Sequence, residues 1–549
     1  MDSQSEPPGP PYRPTKPLPF ELRQHCGIYF EEHLYCQALN LLSSLVSSGT
    51  ASWASAAYLP PPEFLALTAT LVVHPSTTTR AKTDENRQAA NIALQLLRLT
   101  NALVGPEAAD FNAAFVFTHF TKSRSGARRL VDNLEGQDTG KGEALDFELA
   151  NRGSLWSRAE DFWHIVGWAF NCAVLHPSRW PRWKLLLEFL CEVLEDDWRE
   201  RVRRSEELGG GGKKKAEREE LLCGSLIYTF FKGTSGISSP ERRMMRAIFA
   251  DGTPGATNEF REIFHNELQE AKQDGDKLKK REVNVNIAED IYGDYLEWDL
   301  DDDEGTNSVL NEFKDELPTR PKRKRRTKAD GAGGAEVDKN YDLIHKAHSE
   351  SLTLLGDLEA LALRQRFLAI LSAVSEGIPN RFMELDHLYL LFVDFIRHLP
   401  LPIFQLFVSP SVLLRLPVHP QTTLCEMLLE RLRENKKRSS QSPYLNQDKL
   451  EADFLPYAAS TSSVIDNARV SILLESVLRS LSAEGLLHVR PSLKEAVEEG
   501  ILARGERAQT DTKKGQSKMK AEEFGWTWLI ESGERLMHLV LREEEAPTE

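Results

Sequence analysis

"AEDFWHIVGWAFNCAVLHPSRWPRWKLLLEFLCEVLEDDW", residues 159–198, decides the fold class. Its first half sets Phe162, Ile165, Val166, Ala169, Phe170 and Ala173 at three- and four-residue steps, the spacing of one helix face, and stops at Pro177. The second half starts again at Arg179 with Pro181 in the first turn, where a missing N–H costs nothing, and runs on through leucines without a break. Two amphipathic segments joined by so short a connection read as an antiparallel helix pair. Trp156, Trp163, Trp168, Trp180, Trp183 and Trp198 crowd the same region. Their helical spacing and leucine neighbours make them core; the competing reading is an aromatic groove for a partner.

The same periodicity extends toward the N-terminus. Residues 1–19 form a proline-rich tail expected to stay extended, and residues 20–45 repeat apolar positions as one helix until Ser47, Ser48 and Gly49. Pro60 to Pro62 open a helix to Val73. Thr83 and Asp84 cap another that closes at Gly105 and Pro106, and a further one follows Ala108. Beyond the pair, "SEELGGGGKKKAEREE" reads as a loop, since each glycine in a helix costs about 1 kcal/mol relative to alanine. Helical pattern resumes near Glu219, with Ser239 as cap, Pro240 as start and Gly252 as stop, and a helix is expected over 257–281.

Toward the C-terminus, helices are expected over 341–377, 380–399, 402–416 and 422–436. In the last block "GLLHV" and "WTWLI" leave room for two short strands, with residues 504–520 as a basic wing. Strand signals are otherwise thin and no fixed repeat period recurs. The expected fold is therefore all-α: an irregular helical bundle or α-solenoid in two halves joined by a charged linker, with a small α+β winged-helix-like block at the C-terminus as an option. The domain boundaries are a tail at 1–19, an N-terminal helical domain at 20–204, a Gly/Lys loop at 205–218 and a helical continuation at 219–282. The charged linker at 283–338 follows, then a second helical domain at 339–437, a linker at 438–461 and the C-terminal block at 462–545.

Composition bounds the function. With 549 residues, 41% of them hydrophobic, the chain has enough apolar mass for real cores. A net charge of -15 argues against a protein that binds nucleic acid with its whole surface, though a local basic patch is still compatible. Six cysteines scattered through apolar helical patterns read as reduced, buried thiols, as in intracellular proteins. The acidic, proline-rich start lacks the basic and apolar regions of a secretory leader, and no apolar run is long enough for a membrane helix, so a soluble protein without membrane contact is expected.

Motifs of chemistry are incomplete. "EGQDTGKGE" puts Gly140 and Lys141 in phosphate-loop positions, but Glu135 stands where the first glycine belongs and Gly142 where Ser or Thr would hold magnesium. His25, Cys26, His33 and Cys36 fall on one expected helix, which alone cannot surround a zinc ion; His345 and His348 read as a helix surface. No nucleophile elbow, zinc-protease helix or kinase loop is present, so no catalytic residue, cofactor or metal site is assigned.

The charged linker carries the strongest signals. Arg320, Pro321, Lys322, Arg323, Lys324, Arg325, Arg326 and Lys328 form an extended cationic row that closely resembles a monopartite nuclear localisation signal, which implies a nuclear import receptor as partner. Before it, Ile291, Tyr292, Tyr295, Leu296, Trp298 and Leu300 alternate with carboxylates and run into Asp301, Asp302, Asp303 and Glu304. That is the composition of a segment that folds on a basic-rimmed partner surface. "VNVNIAED", just upstream, has the apolar-then-acidic pattern of a β-augmenting, SUMO-binding peptide. The expectation is a non-catalytic nuclear scaffold or adaptor subunit that binds other proteins in a chromatin, genome-maintenance or transcription complex. The alternatives are a nucleic-acid-binding factor using the C-terminal block and basic segments, and an enzyme with a dispersed site.

Overall fold

The computed structural model describes residues 12–117, 145, 147–208, 212–234, 239–269, 354–409, 418–433, 445–509 and 516–545. Among these residues twenty helices supply nearly all the regular structure, so the protein is all-α in class. In chain order they are α1 (Phe20–Glu31), α2 (Tyr35–Ser47), α3 (Pro62–Val73), α4 (Asp84–Val104), α5 (Phe111–Ala114), α6 (Leu155–Arg158), α7 (Phe162–Leu175) and α8 (Trp180–Glu207). Then come α9 (Gly212–Cys223), α10 (Leu226–Lys232), α11 (Pro240–Ile248) and α12 (Pro254–Glu259). After the charged segment follow α13 (Leu358–Gly377), α14 (Leu385–Ile396), α15 (Leu401–Val408), α16 (Val418–Leu432), α17 (Gln447–Asp453), α18 (Val464–Ala483), α19 (Pro491–Gln509) and α20 (Gln516–Glu545).

The punctuation works as side-chain chemistry requires. The Thr83 hydroxyl accepts from the Asn86 N–H at the start of α4, and the Asp161 carboxylate accepts from the His164 N–H at 2.7 Å at the start of α7. Helices α7 and α8 pack on each other as the opening stretch implies, with Trp163 and Trp183 fully buried. Gly167, in the middle of α7, lets the Phe260 ring approach: a Cβ there would lie 2.3 Å from the ring. Only glycine fits that contact.

The helices on the two sides of the charged segment share one hydrophobic core and one compact unit, residues 1–269 with 343–549. Helix α13 lies on α8, and Phe367 stacks edge-on against Phe162, Trp163 and Phe170. Arg364, fully buried, donates to the carbonyls of Ile248 (2.8 Å), Ala250 (2.7 Å) and Leu355 (2.5 Å), with its guanidinium 4.0 Å from the Phe170 ring centroid. Desolvation lowers its pKa to about 9, against the pull of Asp251 and Asp357. Helix α18 runs through the C-terminal part, packed on α15, α16, α19 and α20.

Several sequence expectations need correction. The helix expected over 20–45 is two helices, broken where His33 takes a left-handed φ of 59°. Residues 12–19 are not a loose tail: Thr15–Pro17 pairs in parallel with Ala57–Leu59, and the buried Arg13 guanidinium donates to the carbonyls of Ser48 and Ser55. Of the helix expected over 257–281, residues 257–259 are helical and 260–269 are not, because Phe260 and Glu267 turn inward to fill core positions; 270–281 lie outside the described residues. The Gly/Lys stretch is helical from Gly212, where a Lys- and Glu-rich sequence of high helix propensity packs back on α8.

Among the described residues, neither stretch expected to allow a strand in the C-terminal block forms one. Residues 486–490 carry no strand, and "WTWLI" lies inside α20, where Leu529, Ser532, Leu536 and Val540 recur at helical spacing and are buried. Nor is 504–520 a basic wing at its start: Arg504 sits within α19, wholly buried, and donates to the Leu455 carbonyl at 3.0 Å.

Candidate functional site

The cationic row Arg320–Lys328 and the acidic-aromatic run from Ile291 to Glu304 lie outside the described residues, as do "VNVNIAED", His345, His348 and the Gly140–Lys141 loop. The remaining candidates resolve into core. Cys26 and Cys36 are buried, and burial pushes the Cys26 thiol up to about 11. The break at His33 separates the two histidine–cysteine pairs onto different helices. His33 bonds instead to the Tyr35 hydroxyl at 2.8 Å, and among the described residues no group of three metal-ligating side chains converges.

Five of the clustered tryptophans use their indole N–H groups or faces inside the protein. Trp156 donates to the Ala66 carbonyl at 3.0 Å and Trp180 to the Asp357 carboxylate at 2.8 Å. Trp168 and Trp183 both donate to Glu267, at 3.2 and 2.7 Å, and Trp198 packs beneath Gly377. The core reading of the cluster therefore holds for these side chains.

Glu267 anchors a buried polar knot that the sequence did not announce. Its carboxylate also pairs with Arg179, 2.5 Å from Nη2, and both side chains are essentially inaccessible. Desolvation raises the carboxyl's pKa, opposed by Arg179 and the Trp183 N–H. The remaining Arg179 donors reach the Val73 carbonyl (2.6 Å) and the Thr78 hydroxyl (2.7 Å). One guanidinium thus clamps the turn after α3 to the segment after α12.

Beside this clamp lies a cavity of about 320 Å³. Its walls come from the turn after α3 (His74, Pro75, Ser76, Arg80, Lys82), the start of α4 (Asn86), the residues around α6 (Glu148, Gly153, Arg158) and the segment after α12 (Phe264, His265). Three cations and one carboxylate line it, on a chain whose net charge is -15. His74 is held neutral. Burial, and then the neighbouring Arg179, Arg80 and Arg158, lower its pKa to about 4. Its Nδ1 accepts from the Ser76 N–H at 3.2 Å, and its ring packs edge-on against Phe264.

No local sequence pattern marks this cavity, because its residues come from four separated stretches, each of which reads as a turn or helix end. What a sequence reader could have noticed is "HPSTTTRAKT", a polar connection with two cations and no acid between an apolar helix and an amphipathic one. No protein family matches the chain, and neither a curated protein nor a solved structure compared with it is similar to it.

Proposed function

We propose that the chain is a non-catalytic scaffold or adaptor subunit of a nuclear complex, in chromatin, genome maintenance or transcription, that binds other proteins through its charged central segment. The observation that carries this reading is the order of residues 291–304 and 320–328: apolar side chains interleaved with acids, then a row of cations suited to an import receptor's acidic groove. The described helices before and after the segment share one hydrophobic core, which is the body such a binding segment would serve. The irregular helical architecture supplies the rigid frame.

Two experiments test it. A tagged protein in which Lys322, Arg323, Lys324, Arg325 and Arg326 are replaced by alanine is expected to remain in the cytoplasm; unchanged nuclear signal removes the import reading. Purification with and without residues 283–338 is expected to lose a defined set of partners while the thermal unfolding midpoint stays the same. Retention of every partner by the shortened chain removes the binding role of the segment.

A further inference from the structure

The cavity between the turn after α3 and the segment after α12 has the properties of a ligand site independent of the partner-binding reading. Its cations, Arg80, Lys82 and Arg158, have no carboxylate partner among the described residues, and Arg80 donates from Nη1 to the Asn266 carbonyl at 3.1 Å. Most other arginines lining polar surfaces here are paired, such as Arg98 with Glu192, Arg366 with Glu195 and Arg203 with Glu200. The nearby Asp84 is taken up by Arg87, 2.8 Å away.

Half-buried Arg80 and the exposed Lys82 and Arg158 outnumber the one lining carboxylate, Glu148, so the cavity favours an anion, and a dianion over a monoanion. A volume of about 320 Å³ stands at the lower end of small-molecule sites, too small for a folded element. Pro75 and Phe264 add an apolar wall next to the charged one. We propose that this cavity binds a small phosphate-bearing molecule, its phosphate seated among Arg80, Lys82 and Arg158 and its organic part against Phe264. The neutral His74, already bonded to Ser76, then contributes shape and not charge.

The test is calorimetric titration of the full-length protein with ribose 5-phosphate, inorganic phosphate and citrate. Ribose 5-phosphate is expected to bind saturably and at least tenfold more tightly than either of the others. The variant Arg80→Gln/Arg158→Gln, and separately the exposed Lys82→Glu, should each weaken it at least tenfold. Arg87→Gln, outside the cavity lining, should leave it unchanged. Circular dichroism and the unfolding midpoint show whether each variant is folded, and Lys82→Glu keeps the test decisive if the double variant is not. Absence of saturable binding, equal binding of citrate or inorganic phosphate, or full binding by the folded variants overturns the proposal.

Discussion

Arg179 and Glu267 meet in the core as an ion pair closed to solvent, Nη2 to Oε1 2.5 Å, joining the start of α8 to a turn-rich segment 88 residues further along the chain. Burial alone works against both charges; what stabilises the carboxylate is the set of donors around it, Arg179, Trp168 and Trp183. Removing one partner strands the other. Arg179→Met and Glu267→Leu are each expected to destabilise the protein by about 3–5 kcal/mol, while the double variant costs clearly less than their sum. Urea unfolding of all four proteins measures the coupling, and strict additivity contradicts the pair.

Helix α19 contains two glycines with opposite expectations. A Cβ at Gly500 would meet the Leu455 carbonyl oxygen at 1.8 Å, and backbone cannot rotate aside as a side chain does. Gly505, on the same helix, has nothing within 4 Å. Gly500→Ala is expected to destabilise by about 1–3 kcal/mol or more through overpacking, and Gly505→Ala to stabilise by up to about 1 kcal/mol through helix propensity. Thermal unfolding of both variants checks the sign; equal effects contradict the contact.

How much of this was legible in the sequence depends on whether the determinant was local. Pro62, Thr83, Pro181 and Pro240 act on their own turn, and the helices they start lie where the pattern puts them. The failures are long-range. Residues 260–269 have helical composition, yet Phe260 is drawn into the space above Gly167 and Glu267 onto Arg179, contacts invisible to a window of neighbours. "WTWLI" has strand-like residues, but its burial follows the period of α20 against α18. The cavity escaped notice for the same reason: Arg80, Arg158 and His265 become neighbours only through the fold.

Acid should loosen the region around the cavity. His74 titrates near 4 in the folded protein and near 6.5 when unfolded, the shift arising from burial and then from Arg179, Arg80 and Arg158. His164 is also lowered, chiefly by burial: its Nδ1 accepts from the Glu160 N–H at 3.1 Å, while Nε2 bonds to the Arg261 carbonyl. Below 6.5 the unfolded chain therefore binds protons that the folded one does not. Stability that is full above pH 6.5 is lost as pH falls toward 4, on the order of 3 kcal/mol for His74. His74→Asn, which can keep a bond to the Ser76 N–H, is expected to flatten the curve between pH 6.5 and 4.5. An unchanged pH profile in that variant removes His74 as the cause.

The shared core makes a prediction about the chain cut in two. Expressed separately in one cell, residues 1–338 and 339–549 carry complementary halves of the same contacts. Arg364 and Phe367 lie on one fragment, while the Ile248 and Ala250 carbonyls and the rings of Phe162, Trp163 and Phe170 lie on the other. Arg366 and Lys184 add cross-fragment ion pairs with Glu195 and Glu359. Left alone, either fragment exposes large apolar helix faces, which favours association or aggregation. The fragments are expected to co-purify through a tag on one of them and to unfold in a single transition. Arg364→Met should weaken the association strongly, because it leaves three buried carbonyls without a donor. Two fragments that purify apart, each soluble and helical, contradict a single core, and the two-half organisation expected from the sequence then stands in its place.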